Sequence, residues 1–162
     1  MKKFAMMAAV AAAALMAVPA AAHAQAYAGA AYTQYDFDEA EAGAVTGRLG
    51  YRFTPNFAVE GEASLGVSDD DDAELNGAYG AYAVGILPIG ASGFEAHARA
   101  GYMQFDVDGA GLQPDIDEGG FSYGAGVGWR ATENFGIRAD YTRTEADDSD
   151  VDAISLGGSF NF

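Results

Sequence analysis

The chain has 162 residues, with 24 Asp and Glu against eight Lys and Arg, and it contains no cysteine. Its formal net charge of −16 would repel nucleic acid and attract cations, so we expect no nucleic-acid partner. Without cysteine, the chain has no disulfide to support its fold and no thiol nucleophile.

The first 24 residues predict a cleaved export signal. Lys2 and Lys3 precede an apolar stretch over 4–18, and Ala22, His23 and Ala24 form a small-residue cleavage site before Gln25. This order is typical of a secretory signal peptide, whereas a membrane-spanning helix would need ~20 apolar residues and no such site. Cleavage between Ala24 and Gln25 would leave one domain, residues 25–162, with six Arg, no Lys and all 24 acidic residues.

The remaining sequence contains alternating apolar and polar residues in segments of about ten, a pattern that predicts β-strands. In chain order the eight predicted strands are roughly 26–37, 44–53, 57–67, 77–87, 94–102, 121–130, 135–142 and 154–162. Acidic connections at 38–43, 68–76, 106–118 and 145–151 alternate with short turns at 54–56, 88–93 and 132–134. If the chain crosses a membrane, it must do so as a closed antiparallel up-and-down barrel, because no later segment could form a membrane-spanning helix.

Side-chain size predicts which face of these strands points outward. A soluble barrel of the lipocalin kind would enclose the apolar face, but an eight-stranded lumen is only wide enough to be filled by side chains. The bulky face carries Trp129 and many Phe and Tyr, while the opposite face is rich in Gly, Ser, Ala and Thr. We therefore expect the bulky face to contact lipid. On the fourth strand, which is apolar on both faces, we assign Tyr82, Val84 and Ile86 to the outside.

The predicted lipid-facing aromatic residues fall into two bands, as interfacial aromatic residues do around a membrane barrel. The band near the short turns comprises Tyr27, Tyr51, Phe53, Phe57, Phe94, Trp129, Phe135, Phe160 and Phe162. The band near the long connections comprises Tyr35, Phe37, Tyr102, Phe121, Tyr123 and Tyr141.

Two stretches resemble a known family. Residues 119–131 (GGFSYGAGVGWRA) and 132–143 (TENFGIRADYTR) are similar to the sixth and seventh strands of the small outer-membrane barrels related to the OmpA transmembrane domain, OmpX and the opacity proteins. Residues 51–57 (YRFTPNF) and the terminal SFNF fit the same pattern. The resemblance implies an eight-stranded barrel in a Gram-negative outer membrane, with short periplasmic turns and long extracellular loops. It also implies that Phe160 and Phe162 form the signal read by the barrel-assembly machinery.

The inward face carries charges that must be paired, because an unpaired charge in a narrow lumen is costly. If Phe53 and Phe57 flank a turn, Arg48 lies opposite Glu62 and Arg52 lies diagonal to Glu60. Two interpretations remain open: a fixed ion-pair plug, which we favour, and a switchable gate in a narrow pore. The predicted network comprises Arg48, Arg52, Glu60, Glu62, Glu95, His97, Arg99, Arg130, Arg138 and Asp140.

The sequence offers little for catalysis or for a specific metal site. His97 is the single histidine after the signal, and no metal-spaced His cluster appears. Asp106, Asp108 and Asp117 match EF-hand offsets, but Ala110 and Pro114 occupy other ligand positions, which disfavours a calcium site. We expect no cofactor.

These observations predict a monomeric, non-enzymatic envelope protein that contacts membrane lipid and lipopolysaccharide, with divalent cations held loosely by acidic loops. The alternatives are a narrow low-conductance porin and, less favoured, a lipid-modifying enzyme.

Overall fold

The computed structural model describes residues 25–37, 40–67, 74–108, 116–145 and 150–162. In these segments the chain forms a closed barrel of eight antiparallel strands, each paired with its sequence neighbours, and the last strand pairs with the first. The described residues include no helix that is long and apolar enough to cross a membrane. The predicted signal peptide, residues 1–24, lies outside the described residues. The strands are β1 (Gln25–Phe37), β2 (Ala40–Thr54), β3 (Phe57–Gly66), β4 (Glu74–Ile89), β5 (Phe94–Asp108), β6 (Ile116–Arg130), β7 (Phe135–Glu145) and β8 (Asp150–Asn161).

Eight strands were predicted and eight are present, but most extend further than the alternation indicated. The expectation of a long connection over 38–43 is wrong, because pairing between β1 and β2 continues to Phe37 and Ala40. Asp36 and Glu41 face outward at this point, so their charges do not interrupt the hydrogen-bonded ladder. We call this end of the barrel the loop end and the opposite end, with short turns, the turn end.

The turns are specified by a few side chains. Thr54 Oγ1 accepts hydrogen bonds from the backbone N–H groups of Asn56 and Phe57, at 3.3 and 3.0 Å. Thr132 Oγ1 accepts in the same way from Phe135, at 2.9 Å. The β4–β5 turn uses Gly90 and Gly93 at φ of 62° and 79°, a conformation in which glycine has no steric penalty.

The predicted outward face is confirmed on six strands: β2, β3, β5, β6, β7 and β8. Its large apolar residues are exposed on the outer surface of the barrel. Among them, the turn-end band contains Phe53, Phe57, Phe94, Trp129, Phe135, Phe160 and Phe162, and the loop-end band contains Tyr102, Phe121, Tyr123 and Tyr141.

The predicted facing is wrong on β1 and β4. Tyr27 and Tyr35, assigned to the lipid-facing bands, are buried in the lumen, at 7% and 1% exposure. Phe37, assigned to the same bands, is partly buried against the inner core. Tyr82, with Val84 and Ile86 of the same strand, is buried as well. The physical reason is that each of these three tyrosines places its hydroxyl on a polar partner inside the barrel, so the ring fills the lumen without leaving a polar group unpaired.

The loop-end half of the lumen is filled by two layers. A hydroxyl layer links β1, β2 and β3 through Thr33, Thr46 and Ser64, with successive oxygen–oxygen distances of 2.7 Å. Above it lies an apolar layer in which Phe105 packs edge-on against the ring of Tyr35 at 5.9 Å between centroids. The apolar layer comprises Tyr35, Phe37, Met103, Phe105 and Val151.

Candidate functional site in the barrel lumen

The centre of the lumen is held by Arg48. The β2–β3 register places it directly opposite Glu62, as predicted, and its Nε donates to Glu62 Oε2 at 2.9 Å. Its Nη1 donates to Asp140 Oδ2 on β7, and its Nη2 donates to Ser155 Oγ on β8, both at 2.7 Å. One buried guanidinium therefore ties four strands together, which its planar arrangement of donors permits.

The Asp140 carboxylate binds side chains from three other strands. In addition to Arg48, its carboxylate accepts from Arg138 Nε at 2.8 Å. The imidazole Nε2 of His97 lies 2.5 Å from Asp140 Oδ1. Both His97 and Asp140 are buried, so these bonds replace the water that would otherwise solvate them.

Glu60 forms a second centre, nearer the turn end. Arg138 Nη1 and Nη2 both donate to its carboxylate, the second at 3.3 Å. The phenol of Tyr27 donates to Glu60 Oε1 at 2.6 Å. The sequence predicted that Arg52 would be diagonal to Glu60; the register confirms that position, but the guanidinium of Arg52 turns to Glu95 instead.

Arg99 completes the central layer. Its Nη2 donates to Glu62 Oε2 at 2.7 Å, and its guanidinium carbon lies 3.5 Å from the centroid of the Tyr82 ring. Such stacking is attractive because the face of an aromatic ring carries negative charge. The central layer thus contains three guanidinium groups and three carboxylates, from Arg48, Arg99, Arg138, Glu60, Glu62 and Asp140.

The remaining predicted residues lie at the turn end of the lumen. Arg52 and Arg130 both approach Glu95, at 3.3 and 3.6 Å. The side chain of Arg130 is half exposed, so it sits at the mouth of the barrel. All ten predicted residues are therefore found in one continuous region of the lumen.

Glycines make room for the largest members of this region. A Cβ on Gly126 would lie 2.4 Å from His97 Nε2, and a Cβ on Gly50 would lie 2.1 Å from the Tyr27 ring. Each glycine faces its partner directly across the β-ladder. Sequence reasoning missed Tyr27, Tyr82 and Ser155 as members of the network; the pairing of Tyr27 with Gly50 was a signal that could have found the first.

A separate polar cluster lies on the outer surface at the loop end. Arg143 pairs with Asp150 at 2.5 Å and with Asp152 at 3.6 Å. Tyr141 donates to Asp152, and Tyr123 donates to Glu145, at 2.7 and 3.0 Å. We call the outward carboxylates of Asp36, Glu41, Glu145, Asp150 and Asp152 the acidic rim. Among the described residues, no group of His, Cys, Asp and Glu is arranged to hold a metal ion.

Comparison with known proteins places the fold in a family. A model of the outer membrane protein beta-barrel domain matches residues 5–162. Among solved structures, the chain is similar to the N-terminal barrel of Pseudomonas aeruginosa OprF, with 17% identity and a TM-score of 0.66 over 84% of this chain and 97% of that chain. It is similar to Ail, the attachment invasion locus protein of Yersinia pestis, with 19% identity and a TM-score of 0.59 over 86% and 97%.

Neisserial surface protein A is a third similar structure, with 19% identity and a TM-score of 0.56 over 86% of this chain and 97% of that chain. No curated protein matches the chain in sequence. At these identities the solved structures support the fold alone, while the family model covers nearly the whole chain. The protein is a member of the outer membrane protein beta-barrel domain family and resides in the outer membrane.

Proposed function

We propose that this protein is a non-conducting, non-enzymatic barrel with a structural and surface-interaction role in the cell envelope. The observation that carries the proposal is the filled lumen. An ion crossing the lumen from the turn end to the loop end would meet the charged layer around Arg48, then the hydroxyl layer, then the apolar layer around Phe105. An ion would have to displace all three in turn.

The charged layer favours a fixed plug over a gate. Two of its three carboxylates are each shared by two guanidinium groups, Glu62 by Arg48 and Arg99, and Asp140 by Arg48 and Arg138. The third, Glu60, accepts from both Arg138 and the Tyr27 hydroxyl. Breaking one contact leaves the other in place, so no single rotamer change frees a path. Breaking a whole buried pair is strongly unfavourable, which argues against a layer that opens readily.

The environment of His97 supports a non-enzymatic role. A lipid-modifying enzyme needs a nucleophile beside a base, exposed to substrate. His97 is 5% exposed and bonded to Asp140 inside the barrel, and the hydroxyl of nearby Ser155 is bonded to Arg48 rather than to His97. Lipid outside the wall has no contact with either group.

The acidic rim supports the surface role. Its carboxylates face outward at the loop end, which in this kind of barrel lies on the extracellular side. Lipopolysaccharide phosphates and these carboxylates would repel unless a cation lay between them. We therefore propose that divalent cations, loosely held, link the rim to neighbouring lipopolysaccharide. The Ail protein has also been solved with a heparin analogue, sucrose octasulfate; a polyanion of that kind would be repelled by the rim described here.

The exposed Phe160 and Phe162 support recognition by the barrel-assembly machinery, and we propose that the barrel is a monomer.

Planar-bilayer recording tests the plug directly. Protein purified from outer membranes should give no defined unitary current steps, whereas the alternative, a low-conductance porin, would give steps that scale with salt concentration. The surface role is tested in a deletion strain by its sensitivity to a divalent-ion chelator. Complementation with the wild-type gene should restore resistance, and complementation with Asp150→Asn/Asp152→Asn should restore it less fully; equal restoration by both would contradict the proposed role of the rim.

A further inference from the structure

The turn end of the lumen contains a small cavity with cationic walls. Its volume is about 40 Å³, and Arg52, Arg130, Glu95, Ser159 and Asn161 are among the residues that line it. A water molecule takes up roughly 30 Å³ of liquid, so the space has room for a water or a halide-sized ion. The cavity lies on the periplasmic side, because the short turns of this fold face the periplasm.

At the turn-end mouth of the lumen, cationic side chains outnumber anionic ones. Arg52 and Arg130 share the single carboxylate of Glu95, at 3.3 and 3.6 Å. These distances are longer than the roughly 2.7–2.9 Å of a strong charge-assisted hydrogen bond. The three deeper carboxylates already accept from Arg48, Arg99 and Arg138 and add nothing to the mouth. Within the network, the mouth therefore carries one more positive charge than negative charge.

A buried donor also points to an absent acceptor. The Nε of Arg52 is buried and has no hydrogen-bond partner among the described residues. Buried donors in native proteins are nearly always paired, since leaving one unpaired costs free energy. The unpaired donor, the surplus charge and the size of the space agree with one another. We propose that this cavity is a binding site for a small monovalent anion of halide size, held by Arg52 and Arg130.

Direct anion binding tests the site. The measurement is the binding of radioactive iodide, a monovalent anion, to the detergent-solubilised protein, at constant ionic strength set with a bulky organic sulfonate. We expect a saturable component of bound iodide above a linear non-specific one, and chloride should remove the saturable component by competition.

Two variants and a control decide the assignment. Arg52→Gln should weaken the saturable component at least about tenfold, the effect of losing one charge-assisted hydrogen bond, and leave the linear component unchanged. Arg143→Gln, which removes a cation at the opposite end of the barrel, should bind iodide as the wild type does. If Arg52→Gln fails to form a folded barrel, as judged by heat-modifiable gel mobility, Arg130→Gln at the half-exposed position takes its place and should weaken binding severalfold.

Wild-type iodide binding that is linear in iodide and insensitive to chloride would overturn the proposal and leave only water in the cavity. Unchanged saturable binding in the folded Arg52 or Arg130 variant would overturn it too. Neither result bears on conductance, so this test stands apart from that of the proposed function.

Discussion

Replacing Arg48 by alanine tests whether the charged layer is a plug that stabilises the barrel or a gate that closes a pore. The substitution removes three hydrogen bonds, to Glu62, Asp140 and Ser155. Glu62 keeps Arg99, and Asp140 keeps Arg138 and His97, so neither carboxylate is left without a cation or donor. Breaking a buried pair costs about 3–5 kcal/mol. Because the partners retain other contacts, we expect a loss of free energy of unfolding near the lower end, about 3 kcal/mol.

The assay is equilibrium unfolding in urea of the purified protein in lipid vesicles, followed by Trp129 emission and by heat-modifiable gel mobility. Arg143→Ala is the matched control, because it removes a half-exposed guanidinium from the outer surface and should change stability far less. The double variant Arg48→Ala/Glu62→Ala should be less destabilised than the sum of the two single variants, since the two residues are in contact.

The same variant should remain closed in a planar bilayer. The hydroxyl layer of Thr33, Thr46 and Ser64 and the apolar layer above it do not depend on Arg48 for their contacts. A folded Arg48→Ala barrel with large unitary conductance would refute the layered plug. A folded variant as stable as the wild type would refute the structural role of the network.

Three further substitutions examine other parts of the barrel. Gly50→Ala should lower the free energy of unfolding by about 1–3 kcal/mol through overpacking, because its new Cβ would lie 2.1 Å from the Tyr27 ring. Gly47→Ala on the same strand is the control, since its Cβ would meet nothing closer than 3.9 Å and should be tolerated. Equal effects of the two variants on urea unfolding would contradict this. Leu156→Arg, on the exposed outer face, should lower the free energy of unfolding by about 2–4 kcal/mol, because that face meets hydrocarbon near the bilayer midplane. An unchanged stability in lipid vesicles would show that Leu156 does not face hydrocarbon. Phe105→Ala should destabilise by about 3–5 kcal/mol through a cavity in the apolar layer, yet give no unitary current while the charged layer remains.

Most of the barrel could be predicted from the sequence because successive side chains of a β-strand point to opposite faces, which gives a period of two residues. A shift of one residue would reverse every outward and inward assignment on a strand, so a strand with a clear alternation has only one acceptable facing. β6 illustrates this: Phe121, Tyr123, Val127 and Trp129 face outward, while Ser122 is fully buried. The contact of Arg48 with Glu62 followed from the same logic, because the tight turn at 55–56 fixes the register of β2 and β3.

The sequence could not predict the facing of β1 and β4, because side-chain size alone does not decide it. The outward residues of β4 include Ala81 and Ala83, while Tyr82 points inward. A large ring fits a narrow lumen where the opposite strand offers a glycine, as Gly50 does for Tyr27. Whether such space exists depends on the residue of the neighbouring strand, so it cannot be predicted from the sequence of one strand alone.

The arrangement of charge in the lumen follows from its surroundings. A net charge in a narrow space encircled by lipid hydrocarbon would be poorly solvated. The positive and negative side chains that fill such a lumen therefore have to balance for the barrel to be stable. The central layer meets this requirement with three guanidinium groups and three carboxylates. The barrel therefore keeps its large acidic surplus away from this layer, and an unbalanced charge is tolerated only where water can reach it. Arg130, half exposed at the turn end, occupies such a place, and the surplus cation at that mouth is consistent with a neutral interior above it.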